Sequence, residues 1–202
     1  MRIVLDKVGK RYGDKLLFSD ISAEIAGGQC VAVTGCNGSG KSTLLKIIAG
    51  LIRPSGGSVC FSGDNILDSG QRRDYTGLVS PDMAMYSALS GVENIVFWAK
   101  MRKIACSQAE VAELCRQFGL GEAGRERVNT YSTGMCQRLK LAVIKVINPP
   151  VWLLDEPSSN LDGNGKILVK ELIASAMKQN AAVILATNEE EEVLYASSKI
   201  KL

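Results

Sequence analysis

Residues 35–42 combine glycines, a lysine and a serine in an order suited to holding phosphate. They follow the pattern G-x-x-x-x-G-K-[ST], with Lys41 and Ser42 in the last two places, between an expected strand and an expected helix. Glycines let successive backbone N–H groups point at phosphate oxygens, and the positive end of the helix faces the same anion. Lys41 can reach the terminal phosphates, and the Ser42 hydroxyl can bind Mg²⁺. We therefore expect a nucleoside triphosphate to contact Gly35, Cys36, Asn37, Gly38, Ser39, Gly40, Lys41, Ser42 and Thr43.

Two carboxylates, Asp155 and Glu156, come directly after the apolar run 151–154. Ligands of open α/β sheets bind at the carboxyl ends of the strands, which is where this pair is expected. Asp155 is then placed to hold Mg²⁺, and Glu156 to orient and polarise an attacking water. The pattern favours phosphate-anhydride hydrolysis, with Glu156 and Lys41 as catalytic residues, over a surface pair that caps the next helix.

The elements that must position these residues alternate between strand and helix. Apolar alternation in the first 27 residues predicts two or three antiparallel strands. A capping box at Ser107 and Glu110 predicts the start of a helix whose buried face includes Val111 and Cys115. Further strands are predicted at 29–34, 151–154, 182–186 and 199–202, and further helices at 41–49, 134–147, 165–178 and 189–196. This order predicts an α/β fold with a mostly parallel sheet, as a single domain over 1–202 whose region from about 80 to 147 is helical.

Composition narrows the class of protein. The chain has 202 residues, of which 46% are hydrophobic and 22% charged, which is typical of a globular protein. A net charge of +3 with scattered basic residues argues against nucleic acid as a partner. Six cysteines occur without a C-x-x-C spacing and without any histidine, so we expect reduced, mostly buried thiols and no zinc site. Cys36 is the exception, since a helix N-terminus can make a thiol in the phosphate loop reactive towards oxidants.

Membrane and export signals are absent from the sequence. The first residues reach charge after three apolar positions, so we expect no signal peptide. No stretch of about 18 apolar residues occurs, so a function at a membrane would need a separate spanning chain.

A third set of residues gives the sequence its resemblance to a known family. The run Tyr131-Ser132-Thr133-Gly134-Met135 resembles the signature loop of ABC ATPases, usually written L-S-G-G-Q. The run from Asp155 to Asp162 resembles the Walker B and D-loop of the same family, and Tyr12 is similar to its aromatic A-loop residue. The resemblance covers essentially the whole chain. It implies a P-loop NTPase core with an N-terminal antiparallel β subdomain and a helical signature subdomain.

The resemblance also implies partners and further roles. In this family two subunits face each other head to tail, and ATP with Mg²⁺ is bound between the phosphate loop of one and the signature loop of the other. Ser132 and Gly134 are then expected to contact the ATP of the opposite subunit, and Tyr12 to stack on adenine. A transmembrane permease subunit is the implied partner, on the inner, cytoplasmic face of the cell membrane, together with a second nucleotide-binding subunit in a homodimer or a heterodimer.

The sequence departs from the family pattern at three places. Asn188 stands where the family has a switch histidine, and an amide can donate one hydrogen bond to the γ-phosphate but cannot shuttle a proton. Pro81 stands where the family's Q-loop has a glutamine, so the contact of that side chain with Mg²⁺ or water is lost. Thr133 and Met135 replace the usual glycine and glutamine of the signature.

Three functions remain open at this stage. The first is the ATP-hydrolysing subunit of a transporter, of a compact exporter type similar to the haem-exporter subunits of cytochrome c maturation. The second is an ATP-gated regulatory module with little hydrolysis, which the residues at 81 and 188 motivate. The third is an ABC protein acting on ribosomes or DNA, which the lack of a second nucleotide domain or a long insert disfavours.

Overall fold

The computed structural model describes residues 1–62, 66–67 and 70–202, of which 66–67 are described by backbone alone. In chain order the elements are β1 Arg2–Tyr12, β2 Lys15–Ala26, β3 Cys30–Thr34, α1 Lys41–Ile48, β4 Gly56–Ser62, β5 Ile66–Leu67, α2 Arg72–Tyr75, β6 Thr76–Val79, α3 Gly91–Met101, α4 Gln108–Gln117, α5 Thr133–Ile147, β7 Val151–Asp155, α6 Gly163–Lys178, β8 Ala182–Ala186, α7 Glu190–Val193 and β9 Ser198–Lys201. Two short 3₁₀ turns, Gly121–Arg125 and Val128–Thr130, precede α5.

The chain divides into two compact units. The first comprises Met1–Ser80, Pro149–Glu156 and Ile173–Leu202, and the second comprises Pro81–Asn148 and Pro157–Leu172. Among the described residues, no helix has both the length and the apolar character needed to cross a bilayer.

The first unit contains two sheets. A parallel sheet has the strand order β6-β7-β8-β3-β9, and an antiparallel sheet has the order β2-β1-β4-β5. Every residue of β7 and β8 is buried, as expected for central strands of a parallel sheet covered on both faces. Buried side chains from α1 and both sheets pack into one core, which includes Leu44, Ile48, Phe61, Leu153 and Ile184.

The second unit is helical. Ser90 begins α3 and Ser107 begins α4, each through a capping box in which the serine hydroxyl accepts the N–H of a glutamate three residues later. Ser132 caps α5, which ends at Asn148 in the left-handed conformation immediately before two prolines.

The predicted α/β fold with a mostly parallel sheet, an antiparallel N-terminal part and a helical part is confirmed. The predicted last helix is wrong in extent, because 189–196 contains only the four residues of α7. Four consecutive glutamates begin this segment, and three of them form α7 with Val193, since acidic side chains are favourable in the first turn of a helix. The helix ends there because the chain must reach β9, which pairs with β3 and is preceded by a hydrogen bond from the Ser197 N–H to the Cys30 carbonyl. The chain continues instead in turns whose N–H groups donate three residues back, at Tyr195 and Ala196.

Two other expectations are corrected. The sequence predicts a turn from Pro54 to Gly57, but Gly56 and Gly57 belong to β4, because antiparallel pairing with β1 outweighs their low strand propensity. The thiols are not mostly buried: all six cysteines are free, but Cys30 and Cys115 alone are buried, Cys36 is exposed and the other three are intermediate.

Candidate functional site

The phosphate loop connects β3 to α1 within the first unit. Gly38 and Gly40 have φ values of 82° and 108°, in the left-handed region that favours glycine. A Cβ on Gly40 would lie 2.7 Å from the Phe18 ring and 2.8 Å from Leu17. The loop therefore passes close to β2, and its glycines are needed both for conformation and for space.

Lys41 lies beneath this loop. Its side chain is buried, and its Nζ donates to the carbonyl oxygens of Gly35 at 2.8 Å and Cys36 at 3.3 Å. The backbone thus curls around a cation, which leaves the loop suited to an anionic ligand.

Hydrogen-bonding capacity remains at the start of α1. Gly40 precedes the helix without a side chain to cap it, so the first N–H groups of the helix face the loop uncapped. The Ser39 hydroxyl oxygen is buried and has no hydrogen-bond partner among the described residues. Ser42 is exposed and Thr43 half-buried. These groups fit a phosphate chain with a bound Mg²⁺, since uncapped N–H groups bind phosphate and a serine hydroxyl binds the metal.

The carboxylates stand at the end of β7, two strands from β3. Asp155 is buried and pairs in register with Ala186, and the N–H of Glu156 donates to the Ala186 carbonyl at 2.9 Å. Glu156 is half-buried with φ of 48°, a left-handed conformation that turns the chain sharply at the strand end. At about 4.8 Å per strand, β7 lies roughly 10 Å from β3, so both carboxylates share one edge of the sheet with the phosphate loop.

Asn188 follows β8, the strand that lies between β7 and β3 in the parallel sheet. The buried Thr187 extends this strand through its N–H, which donates to the Val33 carbonyl at 3.2 Å. Asn188 Nδ2 then donates to Asn37 Oδ1 at 2.6 Å, so the residue in the switch position touches the phosphate loop through a side chain. Sequence reasoning placed Asn188 at the ligand but gave no sign of this contact with Asn37.

A cleft of about 740 Å³ flanks the phosphate loop on the β9 side. Its lining includes Cys36, Asn188, Leu194, Lys199 and Lys201. The exposed Cys36 and the two lysines therefore line the same cleft, and the sensitivity of the Cys36 thiol to oxidants stays a prediction.

Tyr12 lies at the end of β1 and is half exposed. Lys10 Nζ lies 4.8 Å from the centre of the Tyr12 ring. This cation–π contact occupies one face of the ring. Stacking of Tyr12 on adenine stays a prediction.

The signature residues lie in the second unit, at the start of α5. The Ser132 hydroxyl accepts the N–H of Met135 at 3.2 Å, and Ser132 itself is exposed. A Cβ on Gly134 would lie 2.8 Å from the carbonyl oxygen of Asn160. The segment that follows Glu156 therefore packs directly on the helix start, and only glycine permits this approach.

Polar residues further along α5 hold the same segment, and sequence reasoning missed them. Gln137 is buried and its amide donates to the Pro157 carbonyl at 2.8 Å. Arg138 pairs with Asp162 at 2.6 Å. The pKa of Asp162 is lowered, mainly by the hydrogen bond from the Gly165 N–H and further by Arg138. A weak signal was present, because these two polar residues come directly before the mostly apolar run 139–147 of the helix.

The amino-acid sequence that forms this site is similar to those of known proteins. A family model described as ABC transporter matches residues 18–159. The doxorubicin resistance ATP-binding protein DrrA of Mycobacterium tuberculosis (strain CDC 1551 / Oshkosh) is 35% identical over 208 residues, which cover 100% of this chain and 62% of that protein. The cytochrome c biogenesis ATP-binding export protein CcmA of Rhizobium etli is 34% identical over 195 residues, covering 94% of this chain and 89% of that protein. The chain thus spans less than two thirds of the length of the resistance protein.

Solved structures agree on the fold. The ATP-binding subunit of an ABC transporter has a TM-score of 0.89 at 24% identity, over 100% of this chain and 86% of that one. The bacterial ABC transporter cassette MJ0796, solved as a dimer, has a TM-score of 0.86 at 27% identity, over 99% of this chain and 94% of that one. The family match contains the phosphate loop, the strand-end carboxylates and the signature residues, whereas Asn188 lies outside it.

Proposed function

The chain belongs to the ABC transporter family, and from that premise we propose that it is the ATP-binding and ATP-hydrolysing subunit of a transporter. The observation that supports this best is that two groups lie at the same edge of the parallel sheet. The buried Lys41 belongs to the phosphate loop after β3, and Asp155 and Glu156 lie at the end of β7, two strands away. Phosphoryl transfer needs little covalent chemistry from the protein, so a cation, a metal site and a carboxylate base in fixed positions are sufficient.

In this proposal each residue of the edge has one task. The backbone of 35–43 and Lys41 bind the phosphates, while Ser42 and Asp155 hold Mg²⁺, which neutralises charge developing on the phosphates. Glu156 orients the attacking water and accepts its proton. Asn188 donates its amide to the γ-phosphate, through the second N–H of Nδ2 or after its side chain leaves Asn37. Tyr12 stacks on the adenine.

The proposal includes two kinds of partner. A second copy of the chain supplies Ser132 and Gly134 to the ATP of the first, since an exposed hydroxyl at a helix start suits an anion. A separate transmembrane permease subunit, which this dimer drives from the inner, cytoplasmic face of the cell membrane, does the transport. The relatives are named for drug resistance and for export in cytochrome c biogenesis, which favours an exporter.

One observation favours a second function, an ATP-gated regulatory module with little hydrolysis. Asn188 carries no titratable group and is hydrogen-bonded to Asn37. Holding that residue on the loop would slow hydrolysis without preventing ATP from binding.

The deciding experiment compares the chain with its Glu156→Gln variant. ATP binding and phosphate release are measured in the same samples, with Mg²⁺ and at high protein concentration. We expect binding to persist and turnover to fall at least a hundredfold in the variant, because the base is lost.

The matched control is Glu171→Gln, which neutralises an exposed glutamate on α6 and should leave turnover unchanged. Binding without turnover in all three proteins would favour the regulatory module. Absence of ATP binding by the unmodified chain would contradict both functions.

A further inference from the structure

The segment that follows β6 begins at Pro81, one of the departures from the family pattern. Its carbonyl oxygen accepts a hydrogen bond from Lys140 Nζ at 3.0 Å, although the two residues are 59 positions apart. Both belong to the second unit. A proline keeps its carbonyl even though it lacks an N–H and an amide side chain, so this contact does not depend on the side chain at position 81.

Lys140 is an unusual residue for its place. It is only 7% exposed and lies in the middle of α5, between the buried residues Leu139 and Leu141 in sequence. Burial lowers the pKa of Lys140, while the charges of Cys136 and Asp82 act in the opposite direction. A buried ammonium group is costly unless it is hydrogen-bonded, and the bond to the carbonyl of Pro81 offsets part of that cost.

The far end of the same segment is also tied to a helix. Asn94, fully buried on α3, accepts the N–H of Tyr86 at 2.8 Å and donates to the carbonyls of Tyr86 at 3.0 Å and Ser90 at 2.9 Å. Residues 81–90, which we name the coupling segment, are therefore held at both ends by buried side chains of α5 and α3.

We propose that Lys140 is a positioning residue that fixes the start of the coupling segment to the middle of α5, the helix that begins with Ser132 and Gly134. Lys140 lies eight positions after Ser132, which is about 12 Å along the helix. The coupling segment and the signature residues then move together, and this link replaces an anchor through the side chain at 81. The inference rests on the proposed function for its effect on turnover, but not for its effect on local order.

The test uses Lys140→Met, which keeps the apolar stem and removes the charged donor, and Lys140→Arg, which keeps a cation and donor. Lys145→Met removes a lysine from the last turn of the same helix and is the matched control. Amide hydrogen exchange of residues 82–89 is measured with ATP affinity, kcat and KM. We expect exchange about tenfold faster or more in Lys140→Met. We also expect kcat about tenfold lower at unchanged KM, and substantial recovery of both in Lys140→Arg.

Several outcomes would overturn the proposal. Unchanged exchange in Lys140→Met would mean that Lys140 does not order the segment. Equal losses in Lys140→Met and Lys145→Met, or no recovery in Lys140→Arg, would indicate a general effect on the helix. If Lys140→Met fails to fold, Lys140→Gln, whose side chain is one atom shorter, takes its place with the same expectations. Failure of the unmodified chain to bind ATP would refute the proposed function, while the exchange measurement would still decide the anchoring role.

Discussion

Replacing Gly134 by alanine tests the close packing of the helix start against the segment after Glu156. Gly134 is the second residue of α5, and alanine is favoured over glycine in a helix by up to about 1 kcal/mol. The added Cβ would lie 2.8 Å from the carbonyl oxygen of Asn160. That oxygen belongs to backbone, and Asn160 has φ of 61°, so a side-chain rotation cannot relieve the contact.

The two effects have opposite signs, and their sizes decide the outcome. Overpacking costs about 1–3 kcal/mol, which exceeds the gain in helix propensity over most of that range. We expect Gly134→Ala to lower the free energy of unfolding by about 1–2 kcal/mol. For a chain of 202 residues, this corresponds to a Tm lower by about 2–8 °C. Turnover should fall by more than the loss of folded protein alone would cause, because the same backbone is proposed to contact ATP on the opposite subunit.

The matched control is Gly163→Ala at the start of α6, where a new Cβ would have no neighbour within 4 Å. This variant should be as stable as the unmodified chain or slightly more so. Thermal and urea unfolding of the three proteins, with turnover measured alongside, completes the comparison. A Gly134→Ala protein at least as stable as the control would refute the packing argument.

Three further perturbations give distinct expectations. Asn188→His should introduce a limb near pH 6.5 into the pH profile of turnover, which the amide cannot provide; a profile identical to that of the unmodified chain would contradict the proposed place of residue 188. Between its lowered pKa and its ordinary 10.5, Lys140 should contribute a folding stability that rises with pH, because the unfolded chain holds more protons at this residue in that window. The thiols of Cys30 and Cys115, whose pKa values burial raises, contribute a fall with pH over an overlapping range. In urea unfolding the slope of stability against pH should therefore be more negative in Lys140→Met than in the unmodified chain, and an unchanged slope would contradict burial of a charged amine. Ser107→Ala removes the cap of α4 and should cost about 1 kcal/mol of stability in urea unfolding, whereas a neutral result would mean that the box adds nothing in the folded protein.

Local sequence patterns were sufficient to predict the elements that depend on residues adjacent in the chain. The strand at 182–186 was predicted to the residue, and the capping box at Ser107 and Glu110 is confirmed, because both depend on neighbours in sequence. β4 was missed because its glycines are typical of a turn, and its pairing with β1 depends on residues some fifty positions away. The predicted acidic helix at 189–196 was overextended for a similar reason, since its end depends on the pairing of β9 with β3, which is distant in the chain.

The same distinction between local patterns and contacts distant in sequence applies to the candidate site. The types and spacing of residues 35–42, with Asp155 and Glu156 after an apolar strand, were enough to predict a phosphate site, since glycine turns, helix ends and strand ends are local features. The tertiary structure alone decided that Asn188 bonds to Asn37, that Gly134 admits the Asn160 carbonyl, and that Lys140 holds Pro81. Each of these contacts joins residues that are far apart in the chain, and the geometry of a hydrogen bond or a clash exists only once packing has brought its two sides together.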